Sequence, residues 1–281
     1  MNFSNIIERF KDLIGVQFVL TKEWNKLPHT KGWRYGMGNA LAVLKPGKLT
    51  QIWKILEICV ESDLIVIMQA ANTGLTGGST PFGSDYDRPI VIINTMRIKD
   101  IHIIKEGSQI VGLTGSTLYG LERKLKPYGR EPHSIIGSTS IGASIIGGIC
   151  NNEGGSLVQR GPSYTEMALY ARISKTGKLE LVNELGINLG SNPEEILDNL
   201  QNQNYDESDI HETDQLGSDN KYSEIVREID KSTPARYNSD SRLLYGASGS
   251  AGKIAVFAVR LDTYVSPCLL YTSPSPRDVS R

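Results

Sequence analysis

Apolar positions in the first part of the chain recur with helical and extended spacing in turn. One apolar face every three or four positions predicts a helix over residues 4–14. A strand, a helix and a second strand are predicted at residues 41–44, 49–62 and 64–68. The second strand is apolar at every position, which is typical of a strand covered on both faces. The pattern therefore predicts an early, buried β-α-β unit.

The rest of the chain carries short apolar runs separated by polar turns, with fewer helices. Strands are predicted at residues 90–93, 101–104, 109–113, 167–173, 178–182 and 253–261. Helices are predicted at residues 116–126, 223–229 and from the cap at Asn192-Pro193 onward. The last strand is strongly apolar and should be central in its sheet. The class is α+β in two lobes, with a small β-α-β lobe and a larger mixed-sheet lobe.

The domain organisation follows from shifts in composition. Residues 1–38 are predicted to be an amino-terminal helix and lead-in, and residues 39–265 one domain. Within that domain, residues 201–221 carry six acidic side chains against one Lys, which predicts a solvated insertion or a disordered loop. Residues 266–281 resemble the in-frame translation of a sequencing adaptor and are left out of the fold prediction. The natural protein is expected to continue beyond them.

Composition limits the possible partners. The chain has 281 residues, with 30 Lys and Arg against 31 Asp and Glu, so that no basic excess favours nucleic acid. No apolar run approaches the roughly 20 residues that a membrane helix needs, and the start lacks a signal-peptide pattern. Cys59, Cys150 and Cys268 have no paired spacing, which indicates a reducing, cytoplasmic compartment. No metal site is predicted, because no ligand spacing is present.

The first segment with chemical content is the glycine-rich run over residues 69–80, called the first loop below. It follows a buried strand and contains three Gly, three Thr and a Ser, but no Lys or Arg. Glycine lets the backbone approach a ligand closely, and consecutive amides can converge on an anion. A diphosphate held by neutral amides fits this composition better than a transferable γ-phosphate. The alternative is a glycine-rich turn that only connects strands.

The second such segment, called the second loop, covers residues 136–156. It has six Gly in twenty-one residues, interleaved with Ile side chains. Small residues in this density suit the approach of a large flat ligand such as a flavin, and the Ile residues argue against the alternative of a flexible hinge. Two other nucleotide motifs fail: Gly36 to Leu41 lacks a preceding strand, and Gly246 to Lys253 lacks the hydroxyl residue of a phosphate-binding P-loop.

Together the two loops resemble the FAD-binding domain of the vanillyl-alcohol-oxidase/p-cresol-methylhydroxylase (PCMH-type) superfamily. Within it, the chain is similar to the bacterial quinone-dependent D-lactate dehydrogenase family over nearly all of residues 39–263, departing most after Gln201. The segments that carry the similarity are residues 69–80, 129–134, 147–160 and 251–263. By position, this resemblance implies non-covalent FAD contacts at Ala70, Ala71, Asn72, Thr73, Gly74, Gly78, Ser79, Gly137, Ser144, Gly154 and Val256.

The resemblance also implies a reaction. D-Lactate, or a related 2-hydroxy acid, would be oxidised to pyruvate, and a membrane quinone would take the electrons. The protein would lie peripherally on the cytoplasmic side of the bacterial inner membrane, attached through a portion that this chain lacks. The catalytic residues are expected in the same missing portion, so that this chain alone should be inactive. Another FAD-dependent 2-hydroxy-acid or alditol oxidase, and a non-catalytic flavin-binding module, remain as alternatives.

Two titratable side chains outside the loops are candidates for chemistry. His133 follows Pro132, a position more typical of a structural hydrogen-bonder than of a catalyst. Arg130 is expected to be a loop or helix-end charge. His29, His102 and His211 are isolated in the sequence and are predicted to be structural.

Overall fold

We analysed a computed structural model of the chain. It describes residues 3–134, 138–155, 157, 160–231 and 240–267. Two sheets of different size organise the chain, and helices pack against both. The predicted α+β class and two-lobed arrangement are confirmed.

The small lobe is formed by the first third of the chain. Its elements are α1 (Phe3–Ile14), β1 (Val19–Leu20), α2 (Glu23–Thr30), β2 (Ala42–Leu44), α3 (Leu49–Glu61), β3 (Ile65–Gln69) and β4 (Ile90–Asn94). The four strands are ordered β1-β2-β4-β3. β2, β4 and β3 run parallel, and β1 is antiparallel to β2. The predicted β-α-β unit is present, with β4 inserted between its two strands.

α3 forms the centre of the small lobe's core. Its buried stripe includes Leu49, Ile52, Ile55 and Cys59, at the spacing that places them on one face. Ile6, Phe10 and Ile14 of α1 belong to the same apolar cluster. α1 and β1 thus contribute to the core of the small lobe, where they find their apolar partners.

The larger lobe contains a five-stranded sheet. Its elements are β5 (Ile101–Ile104), β6 (Gln109–Leu113), α4 (Leu118–Leu125), β7 (Arg130–Glu131), α5 (Ile145–Cys150), β8 (Ala168–Ile173), β9 (Leu179–Asn183), α6 (Pro193–Asn202), α7 (Tyr222–Ile225), β10 (Ala255–Asp262) and β11 (Tyr264–Val265). The sheet order is β5-β6-β10-β8-β9, and β7 pairs with β11 separately. β10 is central and almost wholly buried, as its composition predicted.

The prediction of mixed pairing in the larger lobe is wrong. Every pair of strands in the five-stranded sheet is antiparallel, and mixed pairing occurs in the small lobe instead. The connections explain this result. β5–β6 and β8–β9 are joined by short turns, which can only produce antiparallel neighbours, whereas the parallel strand β3 is reached through the crossover helix α3.

The acidic segment over residues 201–221 is exposed at most positions, yet it is not a free loop. The Tyr205 hydroxyl lies 2.7 Å from His102 Nδ1, and Ile210 forms a bridge with Ile187. Asp262 donates its backbone N–H to the Gly217 carbonyl at 3.0 Å. The exposure agrees with a solvated insertion, and a few apolar and backbone contacts join the segment to the large sheet.

The two lobes meet where β4 passes into the larger lobe. Thr95 donates its backbone N–H to the Gln69 carbonyl at 2.9 Å, and its hydroxyl donates to the Thr114 carbonyl at 3.2 Å. A β-carbon on Gly115 would lie 2.2 Å from the Thr95 carbonyl oxygen, so only glycine fits there. This junction places the end of β3 beside the chain that follows β6. In the described part of the chain, no helix has both the length and the apolar character that crossing a membrane requires.

Candidate cofactor site

The first loop begins at Gln69, whose buried side chain connects three parts of the small lobe. Its amide nitrogen donates to the carbonyls of His29 and Ser79, both at 2.8 Å. Its amide oxygen lies 2.7 Å from His29 Nδ1 and accepts from Asn94 Nδ2 at 3.2 Å. The four contacts fix the start of the loop, its end, α2 and β4 relative to one another.

Asn72 holds the middle of the first loop. Its side-chain amide donates to the Lys31 carbonyl at 2.8 Å and accepts from the Ser79 hydroxyl at 2.8 Å. Its φ of +55° is in the left-handed region, which Asn tolerates better than most residues. Gly77 also has positive φ, and a β-carbon there would lie 3.0 Å from Tyr35. The loop is therefore held against residues 29–37 by its own side chains.

The backbone of the first loop is left available for a ligand. Among the described residues, no acceptor is present for the backbone N–H groups from Ala71 to Ser79. No described atom lies within 4 Å of a β-carbon built on Gly74 or Gly78, so the space beside both glycines is open. A series of unused amides beside open glycine backbone can bind an anion such as a pyrophosphate. The loop fits the group that its sequence predicted.

The second loop is described from Ser138 to Gly155 and is fixed to the chain after β6. Leu118 donates to the Ala143 carbonyl, and Ile145 to the Ser116 carbonyl, both at 3.0 Å. Ser144 caps α5 by accepting from the Gly147 amide at 3.0 Å. The Ile residues of α5 are buried against β6 and β10. Residues 143–149 of the second loop are thus attached to the large sheet by hydrogen bonds and buried Ile side chains.

The two loops lie side by side. Gly142 has φ of +97°, and a β-carbon built on it would lie 4.0 Å from the β-carbon of Ala71. The junction at Gly115 makes this approach possible, because it places the chain that carries the second loop beside the end of β3. The two glycine-rich loops are therefore neighbours in the described region, as a ligand bound by both would require.

The residues implied by the resemblance fall into different environments. Ala70, Ala71, Asn72, Thr73, Gly74, Gly78 and Ser79 lie together on the first loop, and Ser144 lies on the second. Gly154 is exposed and forms a bridge with Pro162. Val256 lies on β10 before that strand begins to pair with β6, and only 4% of it is exposed. Gly137 lies outside the described residues.

Three side chains that hold the site were missed in the sequence. His29, Gln69 and Asn94 form one hydrogen-bonded group under the first loop. Burial lowers the pKa of His29, and nearby Lys45 lowers it further, while the Gln69 hydrogen bond opposes both effects. Gln69 and Asn94 each end a strand that the sequence did predict. Polar residues at the carboxyl ends of adjacent parallel strands were the available signal.

The two titratable candidates from the sequence are structural. His133 is buried, and its Nε2 lies 2.9 Å from the Ser163 hydroxyl. Burial and Arg160 lower the pKa of His133 to about 4, which leaves it neutral near pH 7. Arg130, on β7, donates to the carbonyl of Thr263 at 2.7 Å, just before β11 begins. Neither side chain is placed for chemistry on a ligand of the loops.

Glu153 is a further titratable group on the second loop. Its Oε1 is buried and has no hydrogen-bond partner among the described residues. Its carboxyl carbon would lie 2.6 Å from a β-carbon on Gly148, so the glycine makes room for it. Burial raises the pKa of Glu153 to about 7.

The two-lobed fold with its adjoining glycine-rich loops has counterparts among known proteins. Residues 40–178 match the family model described as "FAD binding domain", a match that supports FAD as the cofactor. Two solved structures, an alkyldihydroxyacetonephosphate synthase and a p-cresol methylhydroxylase, share the fold with TM-scores of 0.62 and 0.57. They cover 95% of this chain, which spans 41% and 44% of theirs, at 11% and 13% identity.

Curated relatives lie much closer in sequence. The chain is homologous to quinone-dependent D-lactate dehydrogenases: it is 57% identical to the Haemophilus influenzae protein over 94% of its length and 55% identical to the Escherichia coli protein over 90%. The Corynebacterium glutamicum protein is 48% identical over 94%. The matches cover 47%, 44% and 47% of those proteins, so the chain spans about half the length of the curated relatives it matches.

Proposed function

We propose that this chain is the FAD-binding part of an enzyme that oxidises D-lactate to pyruvate and passes the electrons to a membrane quinone. The observation that supports this most strongly is the 57% identity to a quinone-dependent D-lactate dehydrogenase over nearly the whole chain. The open, amide-lined first loop supports the cofactor half of the proposal independently.

In this proposal the chain's own residues bind and orient the cofactor. The backbone amides of the first loop, from Ala71 to Ser79, hold the pyrophosphate. Gly142 and the α5 cap at Ser144 support the adenosine and flavin parts from the second loop. Asn72 contributes through its backbone and by shaping the loop, because its side chain already bonds to Lys31 and Ser79. Gly137, Gly154 and Val256 complete the proposed contacts.

FAD, when bound, would accept the C2 hydrogen of D-lactate as a hydride and release two electrons to the quinone. The hydroxyl proton of the substrate requires a base, and its carboxylate requires a cation. His133 is buried and neutral, and Arg130 donates to the carbonyl of Thr263. The proposal therefore assigns these roles to the part of the enzyme that this chain does not span. It also assigns attachment at the cytoplasmic face of the inner membrane to that part.

The cofactor half can be tested on this chain alone. At 100 times the dissociation constant, FAD should stabilise the fold by about 2.7 kcal/mol. For a chain of this size, that corresponds to a rise in Tm of roughly 5–10 °C. Riboflavin, which lacks the pyrophosphate, should give little or no rise. An equal response to riboflavin, or no response to FAD, would count against the site.

The substrate half requires the full-length protein. The purified holoenzyme should be yellow, and D-lactate should bleach its visible flavin absorbance, while L-lactate should not. Bleaching by a different 2-hydroxy acid but not by D-lactate would favour another oxidase on the same domain. A match to an Arabidopsis thaliana D-2-hydroxyglutarate dehydrogenase, 32% identical over 33% of this chain, makes D-2-hydroxyglutarate the natural comparison substrate. A yellow protein that neither compound bleaches would favour a non-catalytic flavin module.

A further inference from the structure

β3 lies at the edge of the small sheet and has no strand on its outer side. The sheet order ends β4-β3, so only one of the two edges of β3 is paired. The outer edge faces an open groove of about 310 Å³ between the two lobes. α3 and β3 line one wall of this groove, and β8, β9 and the start of β10 line the other.

The register of β3 shows which backbone groups are free. Ile65 donates to the Pro89 carbonyl, and the Gln69 carbonyl accepts from Thr95, so the odd-numbered residues of β3 bond to β4. Successive residues of a strand point their N–H and C=O groups to opposite edges. The N–H and C=O groups of Val66 and Met68 therefore point into the groove. None of the four has a hydrogen-bond partner within the described ranges.

The edge lacks the features that keep an exposed strand from pairing. Residues 65–68 are Ile, Val, Ile and Met, with no charge, no Pro and no bulge, and all four are only half-buried. Natural sheets protect permanent edges with charged residues, prolines or bulges. An apolar edge with free backbone groups is instead typical of a strand that is completed by another segment.

The opposite wall of the groove indicates which side chains an added strand would carry. Ala171, Ile173 and Leu179 face the groove from the large sheet, so side chains entering from an added strand would meet apolar surface. Lys253 lies at the rim and forms no ion pair in the part of the chain that the structure describes. A strand with apolar side chains and an acidic residue near Lys253 would match both features.

We propose that β3 is completed by an extended strand from the part of the full-length protein that this chain does not span. The relatives are about twice as long as the matched region, and a polypeptide of that length could supply the strand itself. A small-molecule ligand would fill the groove without satisfying four backbone groups arranged in strand register. The added strand would make the groove part of the enzyme's core and fasten the two halves together. This inference does not depend on the bound cofactor.

Residue-resolved hydrogen exchange can test this proposal on two proteins, the present chain and the gene completed to the length of its relatives. The amide protons of Val66 and Met68 should exchange at least about 100-fold more slowly in the full-length protein than in this chain. The amides of Ile65 and Ile67, which already bond to β4, should be slow in both and serve as the internal control. Equal exchange of Val66 and Met68 in the two proteins would overturn the proposal.

A variant separates strand pairing from general burial. Val66→Pro removes one outward N–H and no bond to β4. In the full-length protein it should raise the exchange rate of Met68 about tenfold or more while Ile67 stays slow. A Met68 amide that stays protected in this variant would also overturn the proposal. So would protection in the present chain that rises with concentration alongside dimer formation, because a second copy would then be the occupant.

Discussion

Ala71 and Gly142 bring the two glycine-rich loops into contact, since a β-carbon on Gly142 would lie 4.0 Å from that of Ala71. The φ of +97° at Gly142 is one that other residues rarely adopt. The approach therefore depends on glycine for its backbone angle, whereas a β-carbon at this distance would make only an ordinary contact. The position of the first loop at this contact is set from beneath by Gln69, and the first prediction concerns that residue.

Gln69→Met should weaken FAD binding as well as the fold. The substitution keeps the length of the side chain but removes the donors to His29 and Ser79 and the acceptor for Asn94. Loss of these buried hydrogen bonds should reduce the free energy of unfolding by about 1–3 kcal/mol. Because the loop is no longer held at both ends, the dissociation constant for FAD should rise about tenfold or more. Flavin fluorescence titration and urea unfolding measure the two effects.

Gln201→Met provides the matched control. Gln201 accepts from the Leu49 amide at 2.6 Å and donates to the Gly47 carbonyl at 3.3 Å, at the start of α3 and away from the loops. Its substitution should lower stability without changing FAD affinity. If both variants lose the same affinity, Gln69 acts only through general stability and its role in positioning the loop is refuted.

Gly78→Ala should weaken FAD binding without lowering the stability of the protein, the reverse of what is expected for Gln201→Met. Gly78 does not have a left-handed φ, and a β-carbon there meets open space in the described structure. The protein without cofactor should therefore keep its stability or gain up to about 1 kcal/mol, because alanine restricts the unfolded chain. The added methyl group would occupy space proposed for FAD, so affinity should fall about tenfold. Thermal unfolding with and without FAD separates the two contributions.

Gly77→Ala is the comparison that the adjacent position offers. Gly77 has φ of +77°, and its β-carbon would lie 3.0 Å from Tyr35. This variant should lose stability even without FAD, by about 1 kcal/mol or more. Unchanged FAD affinity in Gly78→Ala would show that the cofactor does not approach this part of the loop.

Local patterns in the sequence were sufficient for most of the elements. Apolar spacing predicted α1, α3 and β4 within one or two residues, because each forms its own face against a core. β1 and β7 were missed, since two-residue strands carry no period and exist only through their partners. The apolar pattern also could not predict the relative direction of the strands in the larger lobe, because that direction depends on which connecting turns are tight.

For the site, composition indicated the two loops but not what holds them. The first loop could be found from Gly74, Gly77 and Gly78, because glycine density is visible in a single chain. Its contacts with His29 and Lys31 were not predictable, since α2 has Pro28 inside it and a weak helical pattern. The isolated position of His29 in the sequence suggested only a structural role. Only the fold places its ring beside Gln69.

Tyr205→Ala tests whether the acidic segment is held against the large sheet. Tyr205 packs on the main apolar cluster, and its hydroxyl contacts His102 Nδ1 at 2.7 Å. Removal of the ring should reduce the free energy of unfolding by about 2 kcal/mol or more. Tyr205→Phe, which loses only the hydrogen bond, should cost about 1 kcal/mol.

Exposed Glu207 in the same segment is the control, and Glu207→Ala should change stability by less than about 0.5 kcal/mol. Urea unfolding at one pH is sufficient for all three variants. If Tyr205→Ala is as neutral as Glu207→Ala, the segment is the free, solvated loop that its composition suggested.

Glu153 should make the stability of the domain depend on pH. In the folded chain, burial raises its pKa to about 7, whereas the ordinary value is 4.5. The folded state thus favours the protonated form. The contribution of the protonated carboxyl to stability is fully present below pH 4.5 and is lost as the pH rises through 7. Deprotonation leaves a charge whose Oε1 has no partner among the described residues.

Glu153→Gln should remove this dependence, because the amide is close in shape to the protonated carboxyl and does not titrate. The variant and the original chain should be about equally stable near pH 4.5. The variant should then gain an advantage that grows up to pH 7 and levels off at about 3 kcal/mol. Urea unfolding at several pH values between 4.5 and 8 measures it. A constant difference between Glu153→Gln and the original chain over that range would contradict this prediction, because it would mean that folding does not raise the pKa of Glu153.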